Sequence, residues 1–482
     1  MGIRATTVMR IAGFLCMVFS PALLFPLLVS LWYRDGEALH LALSFAVQFT
    51  TGFVLWLPFR RRMELGRREG FFIVGLFWVL LSLLGAAPFV FGLQLSFVDA
   101  LFESVSGLTT TGATILTGID NLPPSLLFYR QELQWFGGMG LIVLAVAIMP
   151  MLGIGGMSMY RAEAPGPMKE EKLTPRMAHS ARALWSIYLG LTLACALAYW
   201  FAGMTPFDAV AHSLSTVSTG GFSTHDVSLG YFSSTAVESV ATVFMLMGGI
   251  NFSIHYLAWR DRSFRHYLAN AEARTFLGFV VFMVAFVAVA LRLSGGYGDI
   301  GDALRSALFE VVSVVTSTGF GVADFSVWPL FLPVLMIFIS FIGGCGGSTA
   351  GGMKVMRIVL LGKQTVREFN RLIHPTGVFA IKVGGRVMGE RVTQSVWGFF
   401  SVYIATFVVL MLLIMMAGLD QVSAFSAIAT CMNNLGPGLG AVSQTFIGVS
   451  DPAKLVAVAA MLLGRLEVFT VLVLLHPAYW RQ

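Results

Sequence analysis

The stretch Phe97 to Thr114, FVDALFESVSGLTTTGAT, recurs three more times along the chain and decides how the rest is read. With Gly112 laid over Gly221, Gly319 and Gly436, four neighbourhoods align without a gap. They are DALFESVSGLTTTGAT at 99–114, DAVAHSLSTVSTGGFS at 208–223, SALFEVVSVVTSTGFG at 306–321 and SAFSAIATCMNNLGPG at 423–438. Each opens with Asp or Ser before Ala (Asp99, Asp208, Ser306, Ser423), an N-cap signature. About two or three helical turns follow, too short to cross a bilayer. Each copy then ends in small hydroxyl or amide residues and a glycine: Thr110-Thr111-Gly112, Thr219-Gly220-Gly221, Ser317-Thr318-Gly319 and Asn434-Leu435-Gly436. A short helix running into a glycine-bearing loop, four times in register, describes a pore loop.

Composition sets the class. Of 482 residues 57% are apolar and only 12% charged, about half the charge of a soluble chain. The apolar residues come in long runs, which makes this an all-α, polytopic membrane protein. Ten spans are expected. An opening pair covers Met9–Trp32 and His40–Phe59, and both are read as retained rather than as a signal peptide. Four pairs then flank the loops: Phe71–Phe91 with Trp135–Leu152, Ala183–Phe201 with Ala236–Tyr256, Phe276–Leu293 with Trp328–Leu361, and Val396–Ala417 with Leu455–Leu475. The units are an N-terminal two-helix domain at 1–69 and pore repeats at 70–160, 161–270, 271–390 and 391–482. Cys16, Cys195, Cys345 and Cys431 stand singly, without metal or disulfide spacing, and read as buried bystanders.

Charge fixes the orientation. Arg4, Arg10, the cluster Arg60–Arg68, the segments Arg161–Arg182, Arg260–Arg274 and Lys354–Arg391, and Arg481 fall on one side of this topology. The other side holds Arg34, Arg130, Arg292, Arg305 and Lys454, while Arg465 lies within the last span. By the positive-inside rule the crowded face and both termini are cytoplasmic, and the loops enter from outside. The net charge of +6 reflects this bias and implies no nucleic acid.

Four such loops mean a cation path. Irregular backbone at membrane depth is tolerated only in protein or beside water. Glycine reaches φ values other residues avoid. Loops set round one axis then offer rings of oxygen that replace an ion's hydration shell, and the negative ends of the short helices favour cations. Glu103 and Glu310 occupy one position in repeats one and three, with His212 and Ala427 in the others. Two readings of these carboxylates stay open: negative potential at the pore, or hydrogen bonding behind the loops.

The chain resembles the Trk/Ktr/HKT superfamily of potassium transporters, most closely its bacterial TrkH branch. The resemblance rests on TTTGAT at 109–114, STGGFST at 218–224, TSTGFG at 316–321, CMNNLGPGLG at 431–440, QWFGGMG at 134–140, FIGGCGGSTAGGMK at 341–354 and GRLEVFT at 464–470. It implies four membrane-pore-membrane repeats in pseudo-fourfold arrangement in the bacterial inner membrane. It also implies a potassium filter centred on Gly112, Gly221, Gly319 and Gly436, with no enzymatic activity and no cofactor. A homodimer and a docked cytoplasmic, nucleotide-binding regulatory ring of the TrkA type are the implied partners, besides membrane lipid. The loops depart from the TVGYG signature, sharing one glycine each, and Pro437 follows the fourth. One or two well-formed sites are expected, with weaker discrimination among potassium, rubidium and sodium.

A gate is expected below the filter. Gly343-Gly344-Cys345-Gly346-Gly347-Ser348-Thr349-Ala350-Gly351-Gly352 precedes Lys354, and six glycines in ten residues cannot hold a regular helix. This segment should be a loop across the conduction path. The alternative is small residues for tight helix packing. Arg465, inside an apolar span, should face the cavity under the filter and repel cations; a salt bridge with Glu467 is the structural alternative. An inside-negative potential supplies about 2.3 kcal/mol per charge per 100 mV, enough for uptake. The rival reading is a proton-coupled secondary transporter of a polar solute, which calls for halves related by inversion. A membrane hydrolase ranks last, since no HExxH or GxSxG motif is present.

Overall fold

The computed structural model describes residues 5–57, 67–140 and 177–480. The far end of the expected span Trp135–Leu152, most of the basic cluster from Arg60, residues 161–176 of the segment Arg161–Arg182, and both extreme termini lie outside the described residues. Within them the chain is helical apart from a two-stranded antiparallel hairpin, Lys382–Val383 with Arg386–Val387.

Six helices are long and apolar enough to cross a membrane: Val8–Tyr33, Ala38–Trp56, Phe72–Gly92, Arg182–Phe201, Ala271–Leu293 and Val392–Met416. They match the expected opening pair and the first span of each repeat. The opening pair crosses at matched glycines. A Cβ on Gly13 would sit 2.6 Å from the Gly52 carbonyl oxygen, and one on Gly52 2.7 Å from that of Gly13, so only bare backbone permits this approach.

The second spans differ from expectation. Those of repeats two and four are broken as well as the one in repeat three. In repeat one Pro124–Gly138 ends the described helix. In repeat two Thr235–Gly249 and Phe252–Arg260 meet at a bend of 100°. In repeat three Leu332–Ser340 is separated from Val355–Ile373 by the glycine-rich segment. In repeat four Asp451–Arg465 gives way to Val468–Leu475, with Glu467 in the left-handed region at φ 60°. A glycine at three of these ends permits close approach to the neighbouring short helix. A Cβ on Gly137 would overlap the Leu108 carbonyl, on Gly464 that of Met432, and on Gly248 would crowd that of Val217. These carbonyls close three of the four short helices, Phe97–Leu108, Pro206–Val217, Ile300–Val315 and Gln421–Asn433.

The short helices begin earlier than the Asp/Ser-Ala signature suggests. Ser96 and Thr205 are the caps of the first two, accepting from the Asp99 and Asp208 N–H groups, while the two carboxylates accept from the cap hydroxyls. Asp299 and Asp420 cap the third and fourth, leaving Ser306 and Ser423 inside the helix. All four cysteines are buried and free, as read.

Gly137→Ala is expected to destabilise the purified protein by about 1–3 kcal/mol, because the added carbon meets backbone that cannot yield. Gly278→Ala, on an exposed helix face with nothing within 4 Å, should leave the melting temperature unchanged or slightly higher. Equal losses for the two would contradict the packing described here.

Candidate functional site

The four glycine loops share one backbone pattern. Thr110, Thr219, Ser317 and Asn434 all adopt the left-handed region, at φ 54°, 52°, 51° and 52°. Two residues later Gly112, Gly221, Gly319 and Gly436 do so again, at φ 79°, 83°, 80° and 98°. The residue between donates its N–H back into its own short helix: Thr111 to the Ser106 carbonyl, Gly220 to Ser215, Thr318 to Ser313 and Leu435 to Thr430, at 2.8–2.9 Å. Each loop is thus a continuation of its helix C-terminus rather than a free turn.

The loops also meet one another in a closed cycle. A Cβ on Gly112 would overlap the carbonyl oxygen of Gly220; on Gly221, that of Thr318; on Gly319, that of Leu435; and on Gly436, that of Thr111. Every one of these approaches is closer than the 3.0 Å that real Cβ atoms keep. Loop one therefore touches two, two touches three, three touches four, and four returns to one. All twelve residues singled out in these loops are buried or carry the contact themselves.

Behind the loops, one helix position holds the ascending segment in the first three repeats, and its neighbour does so in the fourth. Glu103 accepts from the Thr114 hydroxyl and the Ile115 N–H, His212 pairs with the Ser223 hydroxyl at 2.9 Å, and Glu310 accepts from the Val322 and Ala323 N–H groups. In the fourth loop Ser426 takes this part by accepting from the Leu439 N–H. Of the two readings of the carboxylates, the geometry fits hydrogen bonding behind the loops.

Arg130, counted above among the outside charges, is instead 1% exposed. Its Nε donates to Glu103 at 2.8 Å and its Nη1 to the Ser223 carbonyl at 3.1 Å, joining loops one and two. Lys454 is likewise buried and pairs with Asp99 at 2.6 Å, and Arg305 pairs with Glu238 at 2.6 Å. Arg305 is exposed, but a charge count by topology alone could not see Arg130 and Lys454 as internal ties. The run QELQWF at 131–136, polar within an apolar segment, was the available signal.

The glycine-rich segment packs against the C-terminal ends of the short helices. The Cys345 N–H donates to Gly249 O, that of Thr349 to Gly248 O, that of Gly351 to Ser317 Oγ and that of Gly352 to Asn433 O. The Thr349 hydroxyl donates to Val217 O at 3.1 Å and lies 3.2 Å from that of Thr219. Gly346 donates to Glu272, and Gly347 accepts from the Phe252 N–H. Cβ atoms on Gly343, Gly344 and Gly351 would overlap backbone, so loop formation and close packing, posed above as alternatives, hold together. Lys354 is buried and its ammonium donates to the Ala350 carbonyl. Arg465 donates to Thr349 O and Gly138 O at 2.9 Å, spanning the segment and repeat one. Glu467 pairs with Arg357 at 2.9 Å, a different cation from the one named in the alternative reading of Arg465.

At the loop exits His225 lies 2.5 Å from Asp120 and 3.5 Å from Asp208, stacked on Tyr231. Burial opposes its protonation, but the hydrogen bonds to Asp208 and Asp120 outweigh it and raise its pKa above the ordinary 6.5. This tie between loops one and two is fully present below pH 6.5 and is lost as pH rises through the raised value. Melting curves across that range should show the native protein losing stability relative to His225→Ala as pH increases. A difference that does not change with pH would refute the tie.

A family model described as a cation transport protein, TrkH, matches residues 39–481. The Trk system potassium uptake protein TrkH of Vibrio parahaemolyticus is 52% identical, covering 99% of both chains. Its counterpart from Escherichia coli is 50% identical over 100% of both. The crystal structure of the potassium transporter TrkH from Vibrio parahaemolyticus superposes with a TM-score of 0.90, at 50% identity and 99% coverage of each chain. The multi-pass helical architecture and these matches agree: the chain belongs to the TrkH family of cation transport proteins, which are transporters and not enzymes.

Proposed function

We propose that this protein carries potassium inward across the bacterial inner membrane, through a selectivity filter formed by the four glycine loops. The observation that carries the reading is the closed cycle of contacts at Gly112, Gly221, Gly319 and Gly436. Four segments that touch in cyclic order, with one backbone conformation, enclose a common line. On this reading the chain has four membrane-pore-membrane repeats in pseudo-fourfold array behind two extra N-terminal helices, with the boundaries given above. Relatives at 50–52% identity carry names from the Trk potassium uptake system, which supports potassium as cargo. The short helices end at the loops and direct partial negative charge there.

The gate is the segment from Gly343 to Gly352, with Lys354 and Arg465. Its hydrogen bonds to Val217, Ser317 and Asn433 support a position just inward of the loops, in the ion's way. Arg465 pins it to repeat one through Thr349 and Gly138 and adds positive charge there. Potassium sheds water in the oxygen rings and passes when the segment withdraws. The positive-inside bias supports cytoplasmic termini. A homodimer and a TrkA-type nucleotide-binding ring complete the assembly. Exposed Val366, Phe369, Leu372 and Ile373 on the helix that follows the gate support a docking face for partners.

Reconstituted vesicles test both parts by rubidium uptake. Gly436→Ser puts a Cβ against Thr111 at a left-handed position costing about 1–2 kcal/mol, and uptake should fall by roughly tenfold. Unchanged uptake would remove the filter assignment. Arg465→Ala should raise uptake at a fixed driving force; no rise would remove the gate assignment.

A further inference from the structure

The residue before the central glycine has a side chain in three loops and none in the second. Thr111 and Thr318 each place a hydroxyl 2.7 Å from the threonine two residues earlier, and Leu435 is fully buried. In loop two the residue is Gly220, followed by Gly221. A peptide flanked by two glycines meets the least steric resistance to rotation. The space of the missing side chain is filled from another repeat. A Cβ on Gly220 would overlap the side-chain amide of Gln134, which is fully buried on the helix Pro124–Gly138.

That amide holds the carbonyl of the Gly-Gly peptide and the N–H of the peptide that follows it. Gln134 Nε2 donates to the Gly220 carbonyl at 2.7 Å, and Oε1 accepts from the Phe222 N–H at 3.1 Å and the Ser215 hydroxyl at 2.6 Å. The acceptor and donor contacts fix which end of the amide faces which partner. The Gly220 oxygen so held is the one against which Gly112 packs, a member of the cycle of four.

We infer that Gln134 is a specificity-determining positioning residue: it replaces the side chain loop two lacks and locks the Gly220–Gly221 peptide in the orientation that ion discrimination requires. This rests on the filter reading above. Without the clamp the peptide rotates, one oxygen leaves its ring, and the remaining ring distinguishes potassium from sodium less well. Loops one, three and four need no such clamp because they carry their own side chains.

The test is competitive uptake in vesicles, rubidium against sodium, with melting curves recorded for each variant. Gln134→Met keeps the volume and removes the hydrogen bonds. The rubidium-to-sodium preference should fall by roughly fivefold, the weight of one hydrogen bond, while rubidium still enters. The double variant Gln134→Ala with Gly220→Thr, which supplies the side chain of loops one and three in cis, should recover the preference. A preference unchanged in Gln134→Met overturns the inference. So does a double variant no more selective than Gln134→Ala alone, and this second comparison decides the matter if Gln134→Met does not fold. Gly436→Ser run alongside separates the two readings: if it leaves uptake untouched, the filter itself has failed, not only the clamp.

Discussion

Backbone that is not helical cannot stand in a bilayer unless every N–H and C=O finds a partner or water. Four loops in this protein meet that constraint together. Each returns an N–H to its own short helix, and each lays its glycine on the next loop's carbonyl until the cycle closes. No side chain fits at the point of contact, so the four glycines are fixed by their neighbours as well as by their own left-handed turns. A ring built this way is stiff. Moving one loop displaces the next, which suits a selective passage and leaves opening and closing to another element.

That element is supplied by the second spans. Three of them break near the C-terminal ends of the short helices, the described helix of the first ends at Gly138, and Gly137, Gly248 and Gly464 let their helices approach a short-helix carbonyl. In the third repeat the interruption grows into a segment held mainly by backbone hydrogen bonds to its neighbours. Such bonds exchange without a large loss of packed apolar area, so the segment can shift while the helices around it stay. Around the ring, cations buried from water act as cross-braces: Arg130 joins the first two loops, and Lys454 ties the fourth repeat to Asp99 of the first. Each is paired with a carboxylate, as the cost of an isolated buried charge demands.

Much of this was legible in the residues. The fourfold alignment on one glycine located the loops, and six glycines in ten residues announced the interruption in the third repeat. Glycines at 248–249 and 464 carried the same message for repeats two and four, but a hydropathy run reads straight through a break of two residues. The first two cap positions slipped by three residues because Asp99 and Asp208 bond to the cap instead of being it, and the third slipped by seven, to Asp299. Partners across repeats were beyond reach: nothing local says that Arg130 turns inward to Glu103, that Glu467 chooses Arg357, or that Gln134 fills the place beside Gly220. Those pairings depend on residues up to about a hundred positions apart that only the closed ring brings together.

The central claim is that a dehydrated alkali ion sits among the four loops. Anomalous scattering from crystals grown in rubidium answers it directly. Peaks are expected on the line enclosed by Gly112, Gly221, Gly319 and Gly436, weakening when sodium replaces rubidium. Rubidium peaks confined to other parts of the molecule, with that line empty, would contradict it.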